Sequence, residues 1–255
     1  MSENDPLQPE GMQRREWFGT TSWSNLARAQ GGDDELARAA LEKLCQSYWY
    51  PLYVYVRRRG YKAEDAEDLT QAFFFQVLEK NYLGAVDRRK GKFRSFLLAA
   101  LNHFLSNERD FRNAEKRGGG KKLISLDEQA AEERYQHEPF TEVSPEVIFE
   151  QRWANTVVEQ AQQCLREEYK AAGKSELFDA LRTFLTEGAG SGDYTQVAPR
   201  LKMSPATVAV AVHRLRQRFG EVIREEIAKT VARPEEVEPE LRHLVEVLQS
   251  APAET

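Results

Sequence analysis

The chain has 255 residues, with 36 Lys and Arg against 41 Asp and Glu for a net charge of -5, and 41% hydrophobic against 30% charged residues. That balance supports a packed core and excludes a bilayer-spanning helix, since nowhere do roughly 20 apolar residues run together. The start, MSENDPLQPEGMQRREW, lacks the basic and then apolar stretch of a signal peptide, so a cytoplasmic location without a membrane partner is expected.

Residues 1–20 read as a disordered tail, and from there the apolar spacing is helical nearly throughout, which predicts an all-α protein. The first helix starts near Asp33, carries Leu36, Ala40, Leu44, Tyr48, Leu52 and Tyr55 on one stripe, is interrupted at Pro51, and ends at Gly60. A second runs from about Lys62 to Lys80. Its apolar side is Ala66, Leu69, Phe73, Phe74, Val77 and Leu78, and Glu64, Asp65, Glu67 and Asp68 crowd its first turns, where they suit the helix dipole. A third runs from about Phe93 to Lys116 with Phe96, Leu97, Ala100, Leu101, Phe104 and Leu105 inward. These three predict one helical bundle.

Gly118-Gly119-Gly120 reads as a flexible joint. It lacks the GK[ST] of a phosphate loop. Residues 118–145, with Pro139, Pro145 and many Glu, read as a linker. A second helical domain is predicted over 146–231, with helices at about 146–172, 175–186, 194–201 and from Pro205 to about Thr230. Residues 232–255 form an acidic extension with a short helix, expected to pack back on the second domain or to bind a regulator.

Chemistry is thinly represented. Cys45 and Cys164 are the only cysteines, read as buried free thiols, and His103, His137, His213 and His243 show no metal-site spacing. No catalytic residue, metal or cofactor is predicted, and the chain does not read as an enzyme. Charge, in contrast, is segregated. Residues 85–122 hold eleven basic and four acidic side chains, 126–150 hold eight acidic and one basic, and 194–220 hold five basic and no acidic. Because fields in solution are screened over about 8–10 Å, each basic block can meet a phosphate backbone despite the acidic whole.

The sharpest pattern is DYTQVAPRLKMSPATVAVAVHRLRQRF. It predicts a short helix over Thr195–Leu201, a turn through Lys202, Met203 and Ser204, and a helix with Val208, Val212, Leu215 and Phe219 buried. Ser204 is the N-cap and Pro205 takes the first helical position. This is a helix-turn-helix, whose second helix enters the major groove.

The run YWYPLYVYVRRRGYKAEDAEDLTQAFFFQVL, followed by GKFRSFLLAALNHFLSNERDFRNAEKR, resembles region 2 of bacterial RNA polymerase sigma factors, and the helix-turn-helix resembles their region 4. Two such domains joined by a variable linker are similar to the small extracytoplasmic-function (ECF) type. The resemblance implies a region 2-like domain at 21–117 and a region 4-like domain at 146–231. It implies a sigma factor that brings core polymerase to promoters, with promoter DNA, the beta-prime clamp helices and the beta flap as partners and room for an inhibitory regulator.

Carried onto this chain, the resemblance gives Asp65, Asp68 and Gln71 to the clamp helices. Arg94, Asn102, Asn107, Arg109, Arg112 and Lys116 go to minus-10 DNA. Ser204, Ala206, Thr207, Ala209, Val210, Arg214 and Arg218 go to minus-35 DNA. Two departures matter. Phe96 stands where the family commonly has Trp, and its spacing assigns it to the core. Ala209, Val210 and Ala211 stand where Lys, Ser and Arg are frequent, leaving thymine-methyl contacts, with Thr207 and Arg214 as the polar readers. The alternative function is a helix-turn-helix regulator that binds duplex DNA without polymerase.

Overall fold

A computed structural model describes residues 35–79, 92–112, 128–137, 143–185 and 194–250, and all regular structure among them is helical. The elements are α1 (Glu35–Arg58), α2 (Ala63–Glu79), α3 (Phe93–Arg112), α4 (Glu128–Gln136), α5 (Pro145–Ala171), α6 (Ser175–Leu181), α7 (Tyr194–Leu201), α8 (Pro205–Ala228) and α9 (Val237–Ser250). Short 3-10 turns cover Arg182–Leu185 and Pro234–Glu236. No helix among the described residues is long and apolar enough to cross a membrane. The expected tail at 1–20, the glycine joint and Lys116 lie outside the described residues.

The chain divides into two compact units, one within Val157–Glu226 and one within Thr20–Thr156 and Ile227–Thr255. The boundary falls inside α5 and α8, so each of these helices contributes residues to both. The sequence boundaries at 117, 145 and 231 do not coincide with this division. Residues of the expected linker and of the C-terminal extension belong to the larger unit.

In that larger unit α1 is the central element. Residues 51–56 are all buried, and Pro51 sits inside a continuous helix rather than breaking it. Gly60 ends the segment with φ 90°, a conformation costly for any side chain. α2 packs on α1 and α3 through Ala66, Leu69, Phe73, Phe74 and Val77. α3 adds Phe93, Leu97, Ala100, Leu101, Phe104 and Leu105. Phe96, expected in this core, is only half-buried, its ring 6.2 Å from that of Phe93.

α4 attaches by polar and aromatic contacts. Arg57 donates to both carboxylate oxygens of Glu132, at 3.2 and 2.9 Å, and Tyr53 donates to the same carboxylate. Arg57 also lies 4.5 Å from the Tyr135 ring centre, and Arg134 lies 4.2 Å from that of Tyr50.

Residues 232–250 of the C-terminal extension pack within this larger unit. Glu240 of α9 is 1% exposed. It accepts from Arg94 Nε at 2.6 Å and from Lys92 Nζ at 2.5 Å. Arg94 also donates to Glu150, whose other oxygen lies 2.9 Å from His243 Nε2. The guanidinium of Arg94 is 4.7 Å from the Trp153 ring centre. Burial works against the Arg94 charge, but the Glu240 hydrogen bond and the charges of Glu150 and Glu240 outweigh it, and the guanidinium is held above its ordinary value.

Beside this network Trp153 Nε1 donates to the hydroxyl of buried Tyr48 at 3.1 Å. Burial pushes the Tyr48 phenol well above its ordinary value, and the Trp153 hydrogen bond offsets only part of that. A phenol raised on folding contributes stability that is complete below its unfolded value of about 10 and is lost as pH rises toward the folded one. The urea midpoint is therefore expected to be level up to about pH 10 and then to fall by about 1.4 kcal/mol of stability per pH unit for this group. Tyr48→Phe should make that alkaline slope shallower, and an equally steep slope would show that Tyr48 is not its source.

Candidate nucleic-acid interface

The smaller unit is a helix-turn-helix built on one apolar cluster. Leu165 of α5, Phe178, Leu181 and Phe184 around α6, Ala198 of α7, and Val208, Ala211, Val212 and Leu215 of α8 form its buried centre, with Phe219 partly buried against it. The turn between α7 and α8 is fixed by the Met203 amide donating to the Ala198 carbonyl at 3.0 Å. Lys202 takes φ 54°, the left-handed conformation that such a tight reversal needs. Ser204 then caps α8, its Oγ accepting the Thr207 N–H at 3.1 Å. Ser144 stands in the same relation to α5, accepting from the Val147 amide at 3.4 Å ahead of Pro145.

The side chains of α8 sort cleanly by direction. Val208, Ala211, Val212 and Leu215 face the cluster, while Ser204, Ala206, Val210, His213, Arg214 and Gln217 are exposed. Thr207 and Ala209 are half-buried at the edges. The Thr207 hydroxyl lies 2.8 Å from Ser204 Oγ, so it is engaged in the cap itself.

The late arginines are spent on the protein. Arg216 Nε donates to the Phe184 carbonyl at 2.9 Å. Arg218 makes a two-pronged contact with Glu168, at 3.0 and 2.6 Å, and further bonds to Glu221 and Glu225 at 3.0 and 2.9 Å. The Glu168 hydrogen bond, joined by those of Glu221 and Glu225, holds Arg218 above its ordinary value in spite of burial. Arg218, assigned from the sequence to minus-35 DNA, is thus placed among three carboxylates that offset its charge. The expectation for Cys164 is corrected. It is exposed rather than buried, with its thiol 3.4 Å from Glu226 Oε1.

In the larger unit, Glu64, Asp68 and Ala72 are exposed along α2, with Asp65 and Gln71 half-buried beside them. Asp65, Asp68 and Gln71 thus share one acidic side of the helix. The residues selected on α3 are not brought together in this way. Arg94 is buried and neutralised by Glu240 and Glu150. Asn102 is turned to the interior, where its Oδ1 accepts from the Tyr55 hydroxyl at 2.8 Å. Asn107 is exposed, its Nδ2 3.2 Å from His103 Nδ1.

The outward row of α3 is Ser95, Ala99, His103 and Asn107, so of the residues selected there from the sequence Asn107 lies on it and Arg94 and Asn102 do not. His103 was passed over because a lone histidine carries no pattern. The side chains of Arg109 and Arg112 lie outside the described residues.

No family model matches the chain, and no curated protein or solved structure matches it. Among the described residues no group of His, Cys, Asp and Glu is placed to hold a metal ion. The described residues present an acidic helix side in one unit and, in the other, a capped helix with a small apolar and polar outer row.

Proposed function

We propose that the protein is a sigma-type specificity factor, which directs core RNA polymerase to promoters and carries no chemistry of its own. The observation that supports this best is α8. Its turn and cap are hydrogen-bonded, and Ala206, Val210, His213 and Arg214 are exposed along its outer row, as a helix entering a major groove requires. In this reading the helix-turn-helix takes minus-35 duplex and has the beta flap for its polymerase contact. The acidic side of α2 docks on the beta-prime clamp helices. α3 and the basic segment after it hold the opened minus-10 strands through Asn107, Arg109, Arg112 and Lys116, since exposed cations and stacking groups are the general means of holding single strands. The region 2-like and region 4-like roles then fall to the two compact units, in the cytoplasm where polymerase works.

The test is complex formation with core polymerase. Asp65→Lys combined with Asp68→Lys places two cations where the partner is basic, and is expected to weaken core binding by about 3 kcal/mol, over 100-fold, while leaving the fold intact by circular dichroism. Undiminished co-purification of the double variant would contradict the docking role of α2. Specific duplex binding with no affinity for core polymerase would favour a polymerase-independent regulator.

A further inference from the structure

Within the helix-turn-helix unit Val210 is the large apolar side chain left outside, 46% exposed, and it lies one turn beyond exposed Ala206 and one turn before exposed His213. The hydroxyl of Thr207, the polar group nearest the start of the helix, is held 2.8 Å from Ser204 Oγ, and its amide is bound to the same oxygen. Turning that hydroxyl to a base edge would cost it the bond to Ser204, whereas the backbone cap made by the Thr207 amide needs no such change. The first two turns of α8 therefore present methyl groups outward, and hydrogen-bonding groups begin only at His213 and Arg214.

We propose that the protein reads its duplex by methyl contact, with Val210, supported by Ala206, packed against the C5-methyl groups of adjacent thymines and His213 reading the purine edge that follows. The preferred site is then a thymine step followed by a purine, recognised in the major groove. There thymine alone offers a methyl and purines offer N7. The inference rests on the DNA-binding role proposed above, narrows the thymine-methyl contacts expected from the sequence to Val210 and Ala206, and replaces Thr207 by His213 as polar reader.

The experiment is a randomised minus-35 selection with the full-length chain and core polymerase. Binding is then measured on the selected duplex with single thymines replaced by deoxyuridine, which removes the methyl and nothing else. For the parent protein one substitution in the contacted step is expected to weaken binding about fourfold, the value of one buried methyl. Val210→Ala should lose that discrimination, Thr207→Val should keep the parental sequence preference, and His213→Ala should relax the purine position. Equal binding of thymine and deoxyuridine duplexes by the parent, or a preference altered by Thr207→Val and not by Val210→Ala, would overturn the proposal. If the parent selects no sequence at all, the DNA-binding reading fails with it, an outcome distinct from selection of a site without methyl dependence.

Discussion

Glu240→Ala is expected to destabilise the larger unit by about 3–5 kcal/mol, the cost of leaving a buried cation without its partner. Arg94 and Glu240 side chains are 7% and 1% exposed, so neither charge can turn to water when the other is removed. Glu150 remains beside Arg94 but is also met by His243. Lys92 contributes far less. Its side chain is 31% exposed, and Lys92→Ala should cost no more than about 1 kcal/mol. A double replacement, Arg94→Met with Glu240→Leu, removes both charges at once and should regain most of the loss. Urea unfolding of the three variants checks the ordering. A loss below about 1 kcal/mol for Glu240→Ala would mean that water reaches Arg94 and that α9 is not held by this contact.

The second large effect is expected at Arg218. Replacing it by Ala leaves Glu168, Glu221 and Glu225 facing one another, and should lower the stability of the helix-turn-helix unit by about 2 kcal/mol, reduced from a fully buried case because these side chains are 28 to 44% exposed. Its effect on DNA binding has a distinct signature. Because Arg218 is already neutralised by the protein, the slope of log affinity against log salt should be unaltered at temperatures where the variant is folded. Arg214→Ala, on the exposed row, should flatten that slope by about 0.9. Thermal melts and salt titrations separate the two. A slope change at Arg218 equal to that at Arg214 would show that its carboxylate partners release it to phosphate.

These two arginines mark where the sequence ceases to be legible. The helices themselves are readable, since the apolar spacing places α2, α5 and α8 to within about two residues of their ends, and Ser204-Pro205 announces the start of α8 in residue types alone. Burial of the apolar stripe of α8 follows the same periodicity. Arg94 and Arg218 are different. Each reads as an exposed cation on a basic helix end, yet each is met by a carboxylate far away in the chain, Glu240 at 146 residues and Glu168 at 50. Single-sequence periodicity is blind to pairings at that separation.

α4 escaped for a related reason. Its hold on α1 is made by Glu132, Arg134 and Tyr135, with Ala131 as the buried apolar side chain among those described, so polar contacts carry a segment whose apolar pattern reads as linker. On α3 the selected residues do not share one side, since Asn107 is exposed while Arg94 and Asn102 each lie one residue before an exposed position. On a helix that is a rotation of about 100°, enough to carry Arg94 and Asn102 inward while Ser95 and His103 face out.

The proposed polymerase-docking side of α2 and the proposed reading side of α8 are tested together by promoter-directed run-off transcription by purified core polymerase with and without the full-length chain, on the duplex obtained by selection. The account predicts transcripts of a single defined length only when the chain is present, abolished by Asp65→Lys with Asp68→Lys and redirected in promoter preference by Val210→Ala. Equal transcription in its absence, or binding of the duplex with no transcript under any condition, would contradict it.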